Sequence, residues 1–480
     1  MRILENTEPR SVLRYFEEIS AIPHGSGNMK AIAQYCVQFA EREGLEYHRD
    51  SHDNVVIIRE ASAGYEGAEP ILLQGHLDMV CEKTPECTLD MEKDALQLKV
   101  EGDWLRAEGT TLGGDDGIAV AMILALLSEK ELCHPRLEAI LTTDEETGML
   151  GAAELDPTPL RGRRMINLDS DEEGVFTVSC AGGNVTHCML PLNRECVHGR
   201  AFALTVGGLT GGHSGAEIDK GRANSNRLLG RMLYDLEKET PFSLISVEGG
   251  QKDNAIPRES TALLAPHDPA ALTAFILRWE QDLKTEYGTA EPELFVRAEP
   301  REGQDWQAMT PQTAANVVGL LLTLPGGIQA MSNELPGLVQ TSLNLGILKT
   351  EQEQLTASFC VRSAVASQKQ MLVDRLTCLT ESFGGSTEIY GDYPAWEYRR
   401  ESPLRKLLVE VFREQYGHEP KVNAIHAGLE CGLLCGKLPG LDCVSLGPDI
   451  REIHTPREEM SLSSVHRLWE YLLEVLRRAR

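Results

Sequence analysis

Residues 71–78 read Ile-Leu-Leu-Gln-Gly-His-Leu-Asp, an aliphatic run that stops at an imidazole and, two residues later, a carboxylate. Successive large aliphatic residues predict a strand buried on both faces, as in a sheet covered by helices. Side chains two apart at the end of such a strand fall on one side, so His76 and Asp78 share a space. One can bind a metal ion while the other accepts the second ring N–H and fixes the tautomer. A satisfied structural pair is the plainer reading of so short a pattern.

Downstream, Thr111-Leu112-Gly113-Gly114-Asp115-Asp116-Gly117 opens the apolar segment Ile118 to Leu127. That segment is about half the ~20 residues a bilayer span needs and reads as a buried helix. An N-cap and a favourable charge near the helix dipole account for one aspartate. The second is harder to place, because adjacent carboxylates repel unless a cation or a proton compensates. The strand Leu137 to Leu141 then runs into Thr142-Thr143-Asp144-Glu145-Glu146-Thr147-Gly148, and Met165 to Leu168 into Asp169-Ser170-Asp171. Each taken alone is an exposed acidic loop. Together, three strand ends and one helix start deliver carboxylates to one edge of a sheet, where chemistry collects in open α/β folds.

The surrounding chain completes that sheet. Val12, Tyr15, Phe16 and Ile19 repeat at helical spacing, as do Ile32, Tyr35, Cys36 and Phe39 before Gly44, and Val55 to Ile57 is a further strand. Residues 1–190 therefore read as the first part of an α/β domain in three layers, α/β/α. From Ala201 the texture changes to α+β. Strands are expected at Ala201 to Gly207 and on either side of the Gln251 to Pro257 turn, with helices at Arg227 to Glu239 and Ala270 to Tyr287. A similar order recurs, with helices at 312–324 and 366–383 and strands at 338–348 and 355–363, so residues 191–394 read as an inserted domain of two related lobes. Residues 395–480 return to the first domain, with a helix from Pro403 to Tyr416, a strand from Cys443 to Leu446 and a last helix capped near Ser463.

At 480 residues two domains are expected, each with its own core. The net charge of −27 repels nucleic-acid phosphates and anionic membranes, so neither is expected as a partner. No positively charged start precedes an apolar run, so no secretory signal is visible and a cytoplasmic location is expected. The twelve cysteines then read mostly as free thiols, and the two closest pairs as small buried apolar side chains rather than a structural zinc site. The closest pairs, Cys431 with Cys435 and Cys81 with Cys87, lack a second pair at zinc-finger spacing.

The ordered set of acidic and histidine motifs resembles the M20 family of metallopeptidases. Gln-Gly-His76-Leu-Asp78 resembles its first metal motif and Gly-Gly-Asp115-Asp116-Gly its bridging-aspartate motif. Asp144-Glu145-Glu146-Thr-Gly looks like its base-and-ligand motif, Asn-Leu-Asp169 its next ligand, and Glu452-Ile453-His454-Thr455-Pro456 its last one. These motifs stand in family order from residue 76 to 454. Within the family, Asp115-Asp116-Gly117-Ile118 is most similar to the bacterial aminoacyl-histidine dipeptidases, since many other branches carry a lysine before that glycine.

The resemblance implies a di-metal catalytic domain with an inserted α+β lid domain. Asp115 would bridge two divalent metal ions, His76 and Asp169 completing one site and Glu146 and His454 the other. The donor set suits zinc and tolerates cobalt or manganese. The Asp115–Asp116 peptide is cis in relatives. Glu145 would take the proton of a metal-acidified water and return it to the departing amine, and Asp78 would orient His76. His213, in Gly211-Gly212-His213-Ser214-Gly215, resembles the lid histidine that meets the developing oxyanion, although a loop residue is the plain alternative. Asn254 and Arg362 resemble lid positions that hold the substrate carboxylate, which arginine's fork fits bidentately. Glu430 would either meet the substrate amine or support the metal ligands. The implied substrates are short peptides, Xaa-His dipeptides with β-alanyl-histidine (carnosine) among them. Non-specific dipeptides, tripeptides and N-acyl amino acids are the alternatives on this scaffold, and a catalytically silent metal-binding protein is another. A homodimer joined through the lid domain is also implied.

Overall fold

The computed structural model describes residues 3–480 and divides them into two units: residues 3–180, 398–424 and 429–480 form the first, and 181–397 with 425–428 the second. The first boundary falls ten residues before the one expected at 190. Gly182–Pro191, with its alternating burial, pairs with the second unit's strands Gln354–Ser363 and Ser386–Tyr393 rather than with the first sheet. The segment 425–428 crosses back into the second unit, an exchange that nothing in the sequence pattern announced.

The first unit is built on an eight-stranded sheet in the order Glu46–Arg49, Val55–Arg59, Leu137–Thr142, Ile71–His76, Arg164–Asn167, Asp442–Ser445, Val175–Cys180 and Lys421–Ile425. Its four central strands run parallel, Leu137–Thr142 beside Ile71–His76 beside Arg164–Asn167 beside Asp442–Ser445. Ile71–His76 and Leu137–Thr142 are buried at every position, so both faces of the sheet are covered, as the uninterrupted aliphatic runs require. Arg10–Ser20 packs on Gly114–Ser128, and Pro403–Tyr416 on Leu462–Arg478, completing the α/β/α layering. The last helix starts at Leu462, and its cap lies two residues before Ser463. Ser461, not Ser463, accepts from the Ser464 amide, and the Ser463 amide goes to Asp103. A small four-stranded sheet of Ile450–Arg451, Glu459–Ser461, Trp104–Ala107 and Leu98–Glu101 frames the loop from 452 to 458.

The second unit repeats one motif. Phe202–Gly207, helix Ser225–Glu239, Phe242–Gly249, Ser260–Pro266, helix Pro269–Tyr287 and Phe295–Pro300 form a β-α-β-β-α-β lobe. Gly182–Pro191, helix Pro311–Thr323, Val339–Thr350, Gln354–Ser363, helix Ala366–Ser382 and Ser386–Tyr393 form another with the same strand order. The second strands of the two lobes pair antiparallel at Gly249 and Leu348, joining both into one sheet. The first lobe is thus nested in the other after its first strand. The ribbon Arg194–His198 with Asp305–Met309 closes the excursion. One apolar core, including Leu229, Leu233, Phe275, Leu345, Phe359 and Leu372, runs through both lobes. No helix among the described residues is long and apolar enough to cross a membrane. The twelve cysteines form no disulfide, and of the two closest pairs Cys431 is buried as expected while Cys81 is exposed.

Candidate active site

Because Ile71–His76, Leu137–Thr142 and Arg164–Asn167 are parallel neighbours, the motifs that follow them emerge at one edge of the sheet. His76 is 1% exposed. Its Nδ1 lies 2.9 Å from the Asp78 carbonyl oxygen, so Nδ1–H donates there and leaves Nε2 free as a ligand. The expected orientation of the ring is therefore supplied by the backbone of Asp78, whose carboxylate is 3.4 Å from Nδ1. That carboxylate instead accepts from the Ser26 hydroxyl at 2.8 Å and from the amides of Glu145 and Glu146 at 3.0 and 3.2 Å. Asp78 thus sets the loop that presents both glutamates.

Asp115 lies between two imidazoles. Its Oδ1 is 3.2 Å from His76 Nε2, and its Oδ2 is 3.2 Å from His454 Nε2. His454 Nε2 also lies 2.8 Å from Glu146 Oε1, and His76 Nε2 lies 4.0 Å from Asp169 Oδ1. Among the described residues three groups bring ligand atoms close enough to share an ion: His76, Asp116 and Asp169; His76, Glu145 and Glu146; and Asp115, Glu146 and His454. The five ligands expected from the sequence all fall in these groups, and Asp116 joins them unforeseen. The Asp115–Asp116 peptide is cis, and Asp116 Oδ2 accepts the His76 amide at 3.0 Å.

The electrostatics show what this cluster is suited to hold. Burial pushes the Asp116 and Asp169 carboxyls well above the ordinary range, and their neighbouring carboxylates push in the same direction. Burial pushes Glu145 up to about 8, with Glu430, Glu146 and Asp115 adding to the rise. Burial also acts to raise Asp115, but hydrogen bonds from His454 and His76 outweigh it and hold that carboxyl low. His454 rises to about 10 beside Asp115 and Glu146. Imidazoles and carboxylates of this number, with no thiolate, compete for protons in the absence of a cation. A divalent ion removes that competition, and the donor set fits one.

Glu430 is fully buried. Its Oε2 accepts from Gln74 Nε2 at 2.5 Å and Thr142 Oγ1 at 2.7 Å, and Asn167 in turn donates to Gln74 Oε1. Of its two expected roles, this burial favours support of the ligand-bearing strands over contact with a substrate amine. Another carboxylate missed in the sequence, Glu458, accepts from the amides of Leu112, Gly113, Gly114 and Asp115. It does the capping first assigned to the aspartates of the Gly-Gly-Asp-Asp motif: helix Gly114–Ser128 has Gly113 as its N-cap and no side-chain cap of its own.

His213, Asn254 and Arg362 belong to the second unit. His213 pairs with Ala255 in a short ribbon, and the adjacent Asn254 carbonyl accepts the Ser214 amide at 2.9 Å. The amides of Gly215 and Ala216 donate to His213 Nδ1 at 3.2 and 3.0 Å, which leaves Nε2 to carry the proton. Burial and Arg362 lower the pKa of this ring, so it is a neutral donor. Arg362 donates to the Tyr393 hydroxyl at 3.0 Å. A side chain at Gly215 would come within 2.6 Å of the His426 carbonyl oxygen, 3.0 Å of the His213 ring and 3.2 Å of Arg362 Nε, so glycine is what lets these three residues approach. His426, given no role in the sequence reading, lies 2.7 Å through Nε2 from Ser342 Oγ, on the strand paired with that of Arg362.

Comparison with known proteins identifies the family. The model of peptidase family M20/M25/M40 matches residues 72–478. The chain is 36% identical over 481 residues to the cytosol non-specific dipeptidase of Escherichia coli, covering 99% of each. It superposes on the aminoacylhistidine dipeptidase of Vibrio alginolyticus with a TM-score of 0.93 at 35% identity, over 98% of this chain and 97% of that one. The aminopeptidase PepT of Bacillus cereus, at 14% identity and a TM-score of 0.56, shares the fold over 98% and 99% of the two chains. On the family match and the full-length relative together, the chain belongs to peptidase family M20/M25/M40.

Proposed function

We propose that the protein is a two-metal dipeptidase that cleaves short peptides with a free C-terminus, Xaa-His dipeptides and β-alanyl-histidine among them. The observation that carries the two-metal reading is Asp115, whose two oxygens face two different imidazoles, as a carboxylate shared by two ions requires. His76 and Asp169 would hold one ion, Glu146 and His454 the other. Zinc is the first candidate for this donor set, with cobalt and manganese next. When bound, the ions acidify a water and polarise the scissile carbonyl.

The residues divide the remaining work. Glu145 touches the ligand shell without being needed as one of the five ligands. Its carboxylate form is favoured once a cation stands beside it, so it takes the proton of the attacking water and delivers it to the leaving amine. Asp78 holds the Glu145 and Glu146 amides and, through its carbonyl, the His76 ring. His213, locked as an Nε2–H donor, is suited to a developing oxyanion without carrying charge itself. Arg362 and Asn254 take the terminal carboxylate, which restricts the substrates to short peptides. The relative named as a cytosolic enzyme supports a cytoplasmic location, and the family resemblance supports a homodimer joined through the second unit.

The relatives differ in the specificity their names state, one non-specific and one for aminoacyl-histidine. The deciding assay is histidine release from β-alanyl-histidine by purified protein, after chelation and after adding back zinc, cobalt or manganese. Light scattering on the same preparation reads the dimer. Release restored by metal is expected. Absence of release under every metal sends the assignment to α-dipeptides, tripeptides and N-acyl amino acids, and failure on all of them leaves a silent metal-binding scaffold.

A further inference from the structure

We infer that Glu458 is a positioning residue for the metal centre: by clamping the loop ahead of Asp115 to the segment that carries His454, it holds together the half of the site made by Asp115, Glu146 and His454. The inference rests on the two-metal reading above and adds an asymmetry to it.

Glu458 is 3% exposed. Its Oε2 accepts from the Leu112 and Gly113 amides at 2.8 and 3.0 Å, and its Oε1 from the Gly114 and Asp115 amides at 2.8 and 3.2 Å. The Leu112 and Gly113 amides lie just ahead of helix Gly114–Ser128 and those of Gly114 and Asp115 open it, where N–H groups lack an intrahelical partner; a carboxylate that collects all four fixes the path of the chain into Asp115. The approach is close. A Cβ on Gly114 would stand 3.1 Å from Glu458 Oε1, and Gly113 turns the loop with φ of 67°. Glu458 comes from the opposite end of the sequence, four residues after His454. Its own amide donates to the Thr455 carbonyl at 3.0 Å, and the Thr455 hydroxyl donates to the Glu452 carbonyl at 2.7 Å.

The two histidines are held differently. His76 ends a central strand of the sheet, 1% exposed, with its amide bonded to Asp116. The side chain of His454 is 45% exposed, and its loop carries Glu452 and His454 at φ of 51° and 61°. The covering sheet fixes the His76 half. The His454 half depends on the Glu458 carboxylate to stay in register with Asp115 and Glu146.

The test is a chelator competition with zinc alone as the probe, reading bound zinc per chain in the full-length protein, alongside thermal melting of the metal-free form. Wild type should hold two ions. Glu458→Gln, nearly isosteric but unable to accept four amides, should keep one at wild-type affinity and release the other at roughly 10–100-fold weaker affinity, the usual consequence of losing a support behind metal ligands. Glu458→Asp, which keeps the charge and shortens the reach, should show the same selective loss to a smaller extent. It decides the matter in the same terms if the glutamine variant does not fold. Two ions bound at wild-type affinity in either folded variant, or both weakened equally, would overturn the asymmetry. Wild type that binds no zinc would instead overturn the two-metal reading on which it stands.

Discussion

The two units gather opposite chemistries, and burial acts on them in opposite directions. At the sheet edge of the first unit, burial and mutual repulsion raise Asp116, Asp169 and Glu145, so that a cluster rich in carboxylates and bounded by two imidazoles is incomplete without a cation. In the second unit, burial and Arg362 lower His213 and His426, so that two neutral imidazoles stand beside one guanidinium. The first arrangement attracts a positive ion that can act on a carbonyl. The second offers uncharged donors and one fixed positive charge, the complement of a carboxylate or an oxyanion. A peptide with a free C-terminus presents both kinds of group.

The sharpest way to break this division is to remove the one carboxylate of the first cluster assigned to proton transfer rather than ligation. Glu145→Gln is expected to bind the same number of metal ions and lower kcat by roughly 10²–10⁴-fold, the usual worth of a general base. Metal content and kcat measured on one preparation read both halves of the statement. Activity at the parent's level would remove Glu145 from the role of base, and loss of a metal ion would make it a ligand.

How much of this contrast the sequence carries follows from how each cluster is made. The candidate ligands His76, Glu146 and Asp169 follow strands whose aliphatic runs are themselves the signal, so the local pattern alone brings histidine and acidic residues to one sheet edge, while the choice among those carboxylates came from the family resemblance. The place of Asp115 between His76 and His454 was legible only through the family resemblance. Gln74, Asn167, Glu430 and Glu458 act through contacts between segments 93 to 356 residues apart, and no local pattern reports such contacts. Glu458 in particular stands in an Arg-Glu-Glu-Met stretch that resembles any charged surface turn. In the second unit the repeated lobe was visible as a recurring order of elements. The return of 425–428 to that unit, which brings His426 beside Ser342, was not, because it depends on pairing rather than periodicity.

A smaller effect separates binding from chemistry in the second cluster. Arg362→Gln keeps a hydrogen-bonding side chain on the same strand and removes the charge and the fork. If Arg362 holds the substrate carboxylate, KM for a dipeptide should rise roughly 10–100-fold, from the loss of a hydrogen bond to a charged group, with kcat changed less. The same change should leave activity on a C-terminally amidated dipeptide unaltered. An unchanged KM for the free acid would assign the carboxylate elsewhere and leave Arg362 as the partner of Tyr393 alone.

The smallest effect reads the burial of the second cluster directly. His426 is lowered from 6.5 to about 4 by burial first and by the charge of Arg362 next, with His213 acting in the same sense. In the unfolded chain the ring takes up a proton near its ordinary value, while in the folded protein it refuses one until about 4. The unfolded state therefore binds more protons between these values, so the folded state loses stability as pH falls through that window and gains nothing above it. His426→Gln can keep the hydrogen bond to Ser342 while removing the titration. Its stability should match wild type near neutrality and should fall less steeply on acidification, by an amount growing to on the order of 1–3 kcal/mol toward the lower end of the window. Urea unfolding across that range, followed in both proteins, gives the difference. Parallel curves would mean that His426 is accessible to protons in the folded state, and the contrast between a cation-seeking first cluster and the neutral imidazoles of the second would then rest on His213 alone.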